Sequence, residues 1–451
     1  MARLFGTDGV RGLANRQITP ALALELGEAA ARYIIEHEPA PAHGKLKAII
    51  GRDTRISGQF LEHALAAGIA AAGMDVIRIG VVSTPTVAHL SATEDDVALG
   101  VMISASHNAM PDNGIKFFAH GGFKLEDAVE DHIEALLNTA WDRPVGAAVG
   151  EIEFNDSHAE ESYIEHLVTA TGTDLSGLRV VVDCANGAAW KLGPEALRAA
   201  GVDVVVINAS PDGRNINDAC GSTHPEPLQA AVVAANADFG VAYDGDADRC
   251  LAVDHAGNLI DGDKIMGALA VDLRARNELA HDTLVVTVMS NLGLLLAMEE
   301  KGIKTLQTAV GDRYVLEAMR EHGYTLGGEQ SGHTIFANHA TTGDGVLTSL
   351  LIARMVKESG KSLAELTAFV KRLPQTLVNV PNVDKSGAAT DEGVLAAVAA
   401  SEARLGSTGR VLLRSSGTEP LVRVMVEAAT QEIADQEAAD LAEVVKARLA
   451  L

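Results

Sequence analysis

Residues 180–207 read VVVDCANGAAWKLGPEALRAAGVDVVVI, and this stretch decides the fold class. An apolar run at 180–182 passes through a polar turn into a helical pattern at 188–200. A second apolar run follows at 202–207. Short apolar runs separated by a helix of about 10–15 residues are typical of βαβ units, whose parallel strands are buried on both faces. The stretch therefore predicts a parallel α/β sheet with right-handed crossovers.

The same alternation extends over most of the chain. Further strands are predicted at 48–50, 76–79, 97–103, 239–242, 284–288 and 305–308, and further helices at 60–72, 227–235, 292–300, 314–322 and 362–372. The last segment differs, because it reads as a strand (376–380), a helix (391–404), two strands (411–414 and 422–426) and a helix (432–449), which is an α+β order. We therefore expect three α/β domains with mixed, mainly parallel sheets, plus a smaller C-terminal α+β domain. The boundaries predicted from the pauses between these series are 1–150, 151–256, 257–373 and 374–451.

Composition and charge exclude several classes of protein. The 451 residues include 36 Lys+Arg against 61 Asp+Glu, a net charge of −25 that disfavours binding to nucleic acid or to an anionic membrane surface. The N-terminus has no apolar signal core, and the longest uncharged stretch, 283–298, is shorter than the ~18–20 residues of a membrane span. Three scattered cysteines without a CxxC pair are typical of a reduced cytosolic protein. We expect a cytoplasmic protein whose partner is a small molecule; the oligomeric state stays open, with a homodimer as one option.

A polar segment, Ser104-Ala-Ser-His-Asn-Ala-Met-Pro-Asp-Asn-Gly-Ile-Lys116, follows the predicted strand 97–103. In open parallel sheets, ligands bind beyond the carboxyl ends of the strands. A hydroxyl held in such a loop can act as a nucleophile or carry a phosphate, and Lys116 could neutralise charge or exchange protons. The alternative interpretation is an exposed polar turn rich in Ser and Asn.

A second loop, Asp244-Gly-Asp-Ala-Asp-Arg249, follows the predicted strand 239–242. Its three carboxylates repel one another, and a divalent cation relieves that repulsion; oxygen ligands favour Mg²⁺ or Mn²⁺. An EF-hand is excluded, because its sixth position requires Gly and its twelfth Glu, where this chain has Arg249 and His255. A solvated acidic turn is the alternative.

Two later loops suit a phosphorylated sugar. Gly327-Gly-Glu-Gln-Ser-Gly-His333 offers Glu329 and Ser331 as an acceptor and a donor for hydroxyl groups. Arg414-Ser-Ser-Gly-Thr-Glu419, followed by Arg423, has the composition of a phosphate cradle, although it is not a Walker loop. Two Gly-rich turns, Gly311-Asp-Arg313 and Phe5-Gly-Thr-Asp-Gly-Val-Arg-Gly12, add arginines and could equally be surface turns.

Taken together and in this order, the four loops resemble those of the α-D-phosphohexomutase family, and the resemblance covers essentially the whole chain. One departure is Ala109, since the family usually has Pro directly after Ser-His-Asn; Pro111 lies nearby. In the sugar loop, relatives that act on mannose or glucose phosphates typically read Glu-Met-Ser, where this chain has Glu329-Gln330-Ser331. The segments 5–12, 328–333 and 414–420 most resemble those of family members that act on glucosamine phosphate, so the resemblance implies glucosamine as the sugar.

The resemblance implies four domains around one central cleft, closed by the C-terminal domain. It implies that Ser106 carries a phosphoryl group and that one Mg²⁺ per active site is held by Asp244, Asp246, Asp248 and a phosphate oxygen on Ser106. It implies that Lys116, Arg11 and His333 are the candidates for acid–base catalysis, with Lys116 equally suited to pairing with phosphate. The residues implied to bind the substrate are Arg249, Arg313, Glu329, Ser331, Arg414, Ser416, Gly417, Thr418 and Arg423.

The implied reaction begins with transfer of the phosphoryl group from Ser106 to glucosamine 6-phosphate. The resulting glucosamine 1,6-bisphosphate turns over and returns its 6-phosphate to Ser106, leaving glucosamine 1-phosphate for UDP-N-acetylglucosamine synthesis. The alternatives are a glucose or mannose phosphate as substrate, a serine-dependent phosphatase, and a sugar-phosphate-binding protein with a vestigial site. Because arginines and Lys116 fall in the ligand loops, we also expect an acidic exterior around a basic cleft.

Overall fold

The computed structural model describes residues 3–6, 8–39, 41, 43–415 and 421–451. Contacts between residues divide the chain into two compact units. The first comprises Met1–Met289 and Ile303–Ala368, and the second comprises Ser290–Gly302 and Phe369–Leu451.

The first sheet of the larger unit is mixed, with six strands among the described residues in the order β1-β5-β4-β2-β3-β6. Strands β4, β2, β3 and β6 are parallel to one another, β5 runs antiparallel to β4, and β1 pairs antiparallel with β5 at the edge. The strands are β1 (Val10–Leu13), β2 (Lys47–Arg52), β3 (Asp75–Val81), β4 (Val97–Ile103), β5 (Asp112–Ala119) and β6 (Ile152–Phe154). The helices of this part of the chain are α1 (Pro20–His37), α2 (Ile56–Ala72), α3 (Thr84–Thr93) and α4 (Asp127–Leu136).

The second and third sheets repeat this mixture of a parallel centre and an antiparallel edge. The second has the order β11-β10-β9-β7-β8 and the third β13-β12-β14-β15 within the described chain. Their strands are β7 (Arg179–Asp183), β8 (Asp203–Ile207), β9 (Phe239–Tyr243), β10 (Cys250–Asp254), β11 (Leu259–Ile260), β12 (Thr283–Thr287), β13 (Lys304–Thr308), β14 (Leu326–Gly328) and β15 (Thr334–Phe336). The accompanying helices are α5 (Ser157–Thr171), α6 (Leu192–Ala199), α7 (Glu226–Ala235), α8 (Gly262–Ala275), α9 (Leu292–Glu300), α10 (Asp312–His322), α11 (Gly345–Ser359) and α12 (Leu363–Thr367).

The three sheets share one feature that places the functional loops. In each sheet, one strand of the parallel set turns directly into an antiparallel neighbour: β4 into β5, β9 into β10, and β14 into β15. The serine loop, the three-Asp loop and the Gly-Glu-Gln-Ser loop are these connections. Because the loops follow the carboxyl ends of parallel strands, they lie where α/β sheets bind ligands.

The second unit contains an antiparallel sheet of order β16-β18-β17. Its elements are β16 (Gln375–Pro381), α13 (Glu392–Leu405), β17 (Arg410–Ser415), β18 (Leu421–Glu427) and α14 (Gln431–Leu449). One face of the sheet packs on α14 through apolar residues that include Val424, Val426 and Leu441. Helix α9 belongs to this unit, because buried Glu427 accepts hydrogen bonds from Asn291 Nδ2 and from the Leu292 amide at the helix start.

The predicted fold class of three mixed α/β sheets and a small C-terminal α+β unit is confirmed. Several local expectations are wrong. The predicted helix 362–372 is confined to Leu363–Thr367, and the end of the polar segment 104–116, expected to be a loop, belongs to β5 from Asp112 onward. The Gly-rich segment that holds Arg11 continues into β1. Residues 152–154 extend the first sheet by pairing with β3, and so lie beyond the predicted boundary at 150.

In the part of the chain that the structure describes, none of the helices combines the length and the apolar character needed to cross a membrane.

Candidate active site

Ser106 lies in the turn after β4 with its side chain almost completely buried. Its backbone is left-handed, with φ of 51°, an uncommon conformation for a residue other than glycine. The Ser106 Oγ donates to Asp244 Oδ2 at 2.5 Å and lies 3.2 Å from His107 Nδ1. Burial, together with the positive charges of Arg249 and Arg11, lowers the pKa of His107 to about 4, so this imidazole is neutral near pH 7. The alternative interpretation of this segment as an exposed polar turn is wrong for Ser106, which is buried.

The three carboxylates of the second loop converge on one buried point. Ligand oxygens of Asp244, Asp246 and Asp248 all lie within 4.8 Å of one another. Among the described residues, no group donates a hydrogen bond to Asp246 Oδ1 or Asp248 Oδ1. Buried carboxylate oxygens without donors, grouped this closely, fit a hard divalent cation.

The protonation of the cluster reflects its crowding. Burial, with the neighbouring charges of Asp248 and Asp246, raises the pKa of the Asp244 carboxyl well above its usual range. Burial acts in the same direction on Asp246, but the Lys116 ammonium and the Thr84 hydroxyl outweigh it and hold the pKa of Asp246 well below its usual range. The two carboxyls are therefore shifted in opposite directions, Asp244 toward its protonated form and Asp246 toward its charged form.

Lys116 lies on β5 and not in the loop, and its side chain is buried. Its Nζ lies 2.8 Å from Asp246 Oδ2, 3.2 Å from Asp8 Oδ2 and 4.0 Å from Asp248 Oδ2. Asp8 also pairs with Arg11 of β1. Two cations from neighbouring antiparallel strands thus face the three-Asp loop of the second sheet.

The third loop is a tight hairpin turn between β14 and β15 that touches the three-Asp loop through the backbone. Arg249 and His333 form an antiparallel bridge, and the Cys250 amide donates to the Gly332 carbonyl at 3.0 Å. Glu329 is half-buried, with its Oε1 accepting from the Gly311 amide at 3.2 Å, whereas Ser331 is exposed. The structure therefore brings the metal-type loop and the sugar-type loop together.

His333 is buried next to this junction. Its Nε2 lies 3.8 Å from both Asp248 Oδ2 and Asp312 Oδ2. Neither ring nitrogen has a hydrogen-bond partner among the residues that the structure describes. A buried imidazole whose ring nitrogens have no such partner is free to hydrogen-bond a ligand.

Arg313 contacts the start of helix α4 and not the three-Asp loop. Its guanidinium pairs with Asp127, donates to the Leu125 carbonyl at 3.2 Å and lies 3.5 Å from Glu130, all at the start of α4. These contacts tie α10 to the first sheet's domain. The guanidinium of Arg313 is thus paired with protein groups, and its role in substrate binding remains a prediction.

Models of one enzyme family match the chain in four consecutive segments. They are described as phosphoglucomutase/phosphomannomutase α/β/α domains I, II and III and C-terminal domain, and they match residues 2–143, 161–257, 261–373 and 377–444, respectively. The chain belongs to the phosphoglucomutase/phosphomannomutase family. This confirms the resemblance inferred from the loops.

Individual family members agree with this assignment along their full length. A phosphoglucosamine mutase from Bifidobacterium animalis subsp. lactis is 60% identical over 456 residues, with 100% of both chains covered. The crystal structure of a phosphoglucomutase/phosphomannomutase family protein from Burkholderia thailandensis superposes with a TM-score of 0.81 and 25% identity, covering 99% of this chain and 97% of the other. An Aspergillus fumigatus N-acetylphosphoglucosamine mutase in complex with GlcNAc-6P and magnesium shares the fold, with a TM-score of 0.70, 20% identity and coverage of 98% and 95%. The chain is thus an enzyme of the phosphohexomutase family.

The family's C-terminal domain corresponds to the antiparallel sheet of the second unit. Arg414 of β17 and Arg423 of β18 are direct cross-strand partners. Burial and the charge of Arg423 lower the pKa of Arg414 from its ordinary value. Two like charges held opposite each other destabilise a sheet and are relieved by an anion. The predicted residues Ser416, Gly417 and Thr418 lie outside the described residues.

Several residues at this family site escaped sequence reasoning. Thr84 Oγ1 donates to Asp246 Oδ2 at 2.7 Å, and Lys124 bridges Asp8 and Asp312. Asp8 and Asp312 belong to the same Gly-rich segments as Arg11 and Arg313, so the sequence could have indicated that they lie near the site. Thr84 and Lys124 had none, because their role depends on which strands become neighbours.

Proposed function

We propose that this protein interconverts glucosamine 6-phosphate and glucosamine 1-phosphate through a phosphoryl group carried on Ser106. The observation that carries the proposal is the Ser106 hydroxyl, buried and 2.5 Å from Asp244 in a cluster of carboxylates that fits a divalent cation. The full-length relative that is 60% identical is named phosphoglucosamine mutase, which supports the amino sugar as substrate. Glucosamine 1-phosphate would feed UDP-N-acetylglucosamine synthesis.

The three carboxylates are proposed as the ligands of one Mg²⁺. Asp244, Asp246 and Asp248 offer oxygen atoms within 4.8 Å of one another, two of them without a donor among the described residues, and phospho-Ser106 would add a phosphate oxygen. When bound, Mg²⁺ would neutralise part of the phosphate charge and make the phosphorus more electrophilic.

Lys116, Arg11 and His333 are proposed to manage the proton of the attacking hydroxyl. Lys116 has the best support, because it is buried within 2.8 Å of Asp246 and so points at the reacting region. His333 is the second candidate, since both of its ring nitrogens are unpartnered within the described chain. Arg11 is held by Asp8 and suits phosphate binding better than proton transfer, because a guanidinium does not deprotonate.

The substrate is proposed to bind through sugar and phosphate contacts on different loops. Glu329 and Ser331 would bind sugar hydroxyls, with Arg249 and Arg313 beside them, while Arg414, Ser416, Gly417, Thr418 and Arg423 would bind the phosphate that does not react. The facing pair Arg414 and Arg423 supports an anion site on the C-terminal sheet. A glucosamine 1,6-bisphosphate that re-enters in the opposite orientation suits this arrangement, because arginines accept a phosphate from either end of the sugar.

The domain organisation and setting of the enzyme are proposed on the same basis. We propose domains at 1–150, 151–256, 257–373 and 374–451, supported by matched family segments that end near these positions, with strand β6 belonging to the first domain because it pairs with β3. We propose a cytoplasmic location, because Cys184, Cys220 and Cys250 are free thiols. A homodimer is compatible with these features.

An activity panel tests the proposal. The 6-phosphates of glucosamine, glucose and mannose are compared as substrates in the presence of Mg²⁺ and a sugar bisphosphate activator. We expect the highest kcat/KM with glucosamine 6-phosphate. A higher value with glucose or mannose 6-phosphate would keep the family and overturn the substrate, and release of free phosphate without isomer would identify a phosphatase.

A further inference from the structure

A buried arginine in the segment after β2, Arg55, binds the backbone of the serine loop. Arg55 is fully buried, and its guanidinium donates only to groups of the protein. Its Nη2 donates to the carbonyls of Ser106 at 3.0 Å and Asn108 at 2.8 Å, and its Nη1 donates to the carbonyl of Ala109 at 2.7 Å. One planar cation therefore binds three carbonyl oxygens of the loop.

Hydrogen bonds join this arginine to both sides of the Ser106 backbone. The Ser106 amide donates to Ser104 Oγ at 2.9 Å, and that hydroxyl donates to Asp53 Oδ2 at 2.7 Å. Arg55 Nε donates to the same Asp53 oxygen at 2.9 Å, and Arg55 Nη2 returns to the Ser106 carbonyl. The ring that results fixes the amide and the carbonyl of the left-handed Ser106 at the same time.

A side chain from the second sheet's domain grips the same carbonyls. Asn217 Nδ2 donates to the carbonyls of Ser106 at 2.9 Å and Asn108 at 3.1 Å. The Asn217 amide donates to the Ala185 carbonyl at 2.9 Å, so its position is set by the loop after β7. Close packing adds to the grip, because a Cβ on Gly245 would lie 2.4 Å from the Ser106 carbonyl oxygen. These contacts fix the position of the serine loop relative to the domain that supplies the three carboxylates.

We propose that Asp53, Arg55, Ser104 and Asn217, here named the Ser106 clamp, are positioning residues for phosphoryl transfer. The clamp rests on the proposed function, in which Ser106 carries the phosphoryl group. It fixes the backbone of Ser106 while Ser106 Oγ contacts Asp244. It also occupies the carbonyl oxygens of Ser106 and Asn108 with hydrogen-bond donors, so that these oxygens are not free to turn toward a phosphate and repel it. Phosphoryl transfer depends on positioning, and a misplacement of about 1 Å can cost roughly 10²-fold in rate.

The first test removes the Asn217 amide without disturbing the backbone. Asn217 has φ of 57°, a backbone conformation that glycine adopts without strain. Asn217→Gly therefore removes the hydrogen bonds to the carbonyls of Ser106 and Asn108 and leaves the backbone conformation accessible. Asn236→Gly is the matched control, because Asn236 is also left-handed, with φ of 48°, but caps α7 at an exposed position. We expect kcat to fall by about tenfold or more in Asn217→Gly with KM within about threefold of the wild type, and no such loss in Asn236→Gly.

The second test follows the phosphoryl group itself. Enzyme labelled with ³²P on Ser106 is mixed with glucosamine 6-phosphate, and label in sugar phosphate is compared with label in free phosphate for the wild type, Ser104→Ala, Asn217→Gly and Arg55→Lys. We expect the share that reaches water to rise in all three variants, most in Arg55→Lys, because lysine lacks the fork that spans three carbonyls. Ser104→Ala and Asn217→Gly decide the question if Arg55→Lys does not fold.

The outcomes separate the clamp from the proposed function. A wild type that carries no label on Ser106, or transfers none to sugar, refutes the proposed function. A wild type that transfers normally, with variants that match Asn236→Gly in kcat and in the label partition, overturns the clamp. Losses of kcat that only follow the folded fraction measured by thermal unfolding also overturn it, since they would show a purely structural role.

Discussion

At the scale of single residues, the side chains proposed to react are oriented by neighbours that have no proposed part in the reaction. Asp246 is the clearest case, because one of its oxygens contacts both Lys116 and Thr84, while the other has no donor among the described residues. Thr84 begins α3 in the first sheet's domain, and Asp246 belongs to the second. A hydroxyl that orients a carboxylate ligand in this way typically influences metal affinity.

Replacing Thr84 by valine tests this orientation. Thr84→Val keeps the shape and removes the donor to Asp246, so we expect the Mg²⁺ concentration for half-maximal activity to rise by about 10–100-fold. Thr86→Val is the matched control, because the buried Thr86 hydroxyl contacts Ser83 and not a carboxylate. The measurement is a Mg²⁺ titration of mutase activity, and equal midpoints in the two variants would contradict the assigned role of Thr84.

At the scale of elements, charged residues at a helix end and on paired strands affect the stability of the fold. Helix α11 begins at the buried cap Asp344, whose side chain accepts from the Leu347 amide and, at 2.5 Å, from the Tyr163 hydroxyl. Burial raises the pKa of Asp344 to about 6, above its ordinary value of 3.8, although these hydrogen bonds oppose the shift. The folded protein therefore binds this proton more tightly than the unfolded chain does.

The pH dependence of stability tests the buried cap. Since the pKa of Asp344 is raised on folding, its contribution to the free energy of unfolding is most favourable below about pH 4 and is lost as the pH rises to about 6. Asp344→Asn keeps a capping side chain but does not titrate. The difference in free energy of unfolding between variant and wild type should therefore shift in favour of the variant by roughly 2 kcal/mol between pH 4 and pH 6. Chemical denaturation at a series of pH values measures it, and a difference independent of pH would refute the interpretation.

For the facing pair Arg414 and Arg423 on the C-terminal sheet, removing one arginine is expected to weaken substrate binding without lowering stability. Arg423→Gln should leave the ligand-free protein as stable as the wild type or slightly more stable, because it removes repulsion with Arg414, while raising KM for the sugar phosphate by about tenfold or more. Arg410→Gln on the same sheet is the contrast, since Arg410 pairs with buried Glu427 and its loss should lower the Tm without raising KM. Thermal unfolding and steady-state kinetics measure both, and a lower Tm with unchanged KM in Arg423→Gln would count against an anion site.

Sequence patterns predicted the elements well where they are long and buried, and poorly at the sheet edges. Strand β4 and helix α9 have the predicted bounds, because their apolar pattern is continuous. Strand β5 was missed, since Asn113 and Gly114 favour a turn in isolation, whereas here tertiary pairing with β4 prevails. The contacts of Arg55 and Asn217 with the serine loop could not be predicted, because they join segments 51 and 111 positions apart.

At the scale of the whole molecule, the net charge of −25 gives little information about the site. The carboxylates around Ser106 are offset locally by cations brought from separate parts of the chain: Asp8 contacts Arg11, Lys116 and Lys124. The predicted acidic exterior around a basic cleft stays a prediction. The fold brings three connections between parallel and antiparallel strands together, so that the Ser106 hydroxyl, the three carboxylates and the Gly-Glu-Gln-Ser loop lie next to one another.

The central claim is that Ser106 carries the phosphoryl group that passes to the sugar, and one measurement tests it most directly. Enzyme phosphorylated with ³²P is digested to locate the label, and the intact phosphoenzyme is chased with unlabelled glucosamine 6-phosphate. We expect the label on Ser106, its transfer to glucosamine phosphates, and loss of label and activity in Ser106→Ala. Full mutase activity in Ser106→Ala would contradict the account.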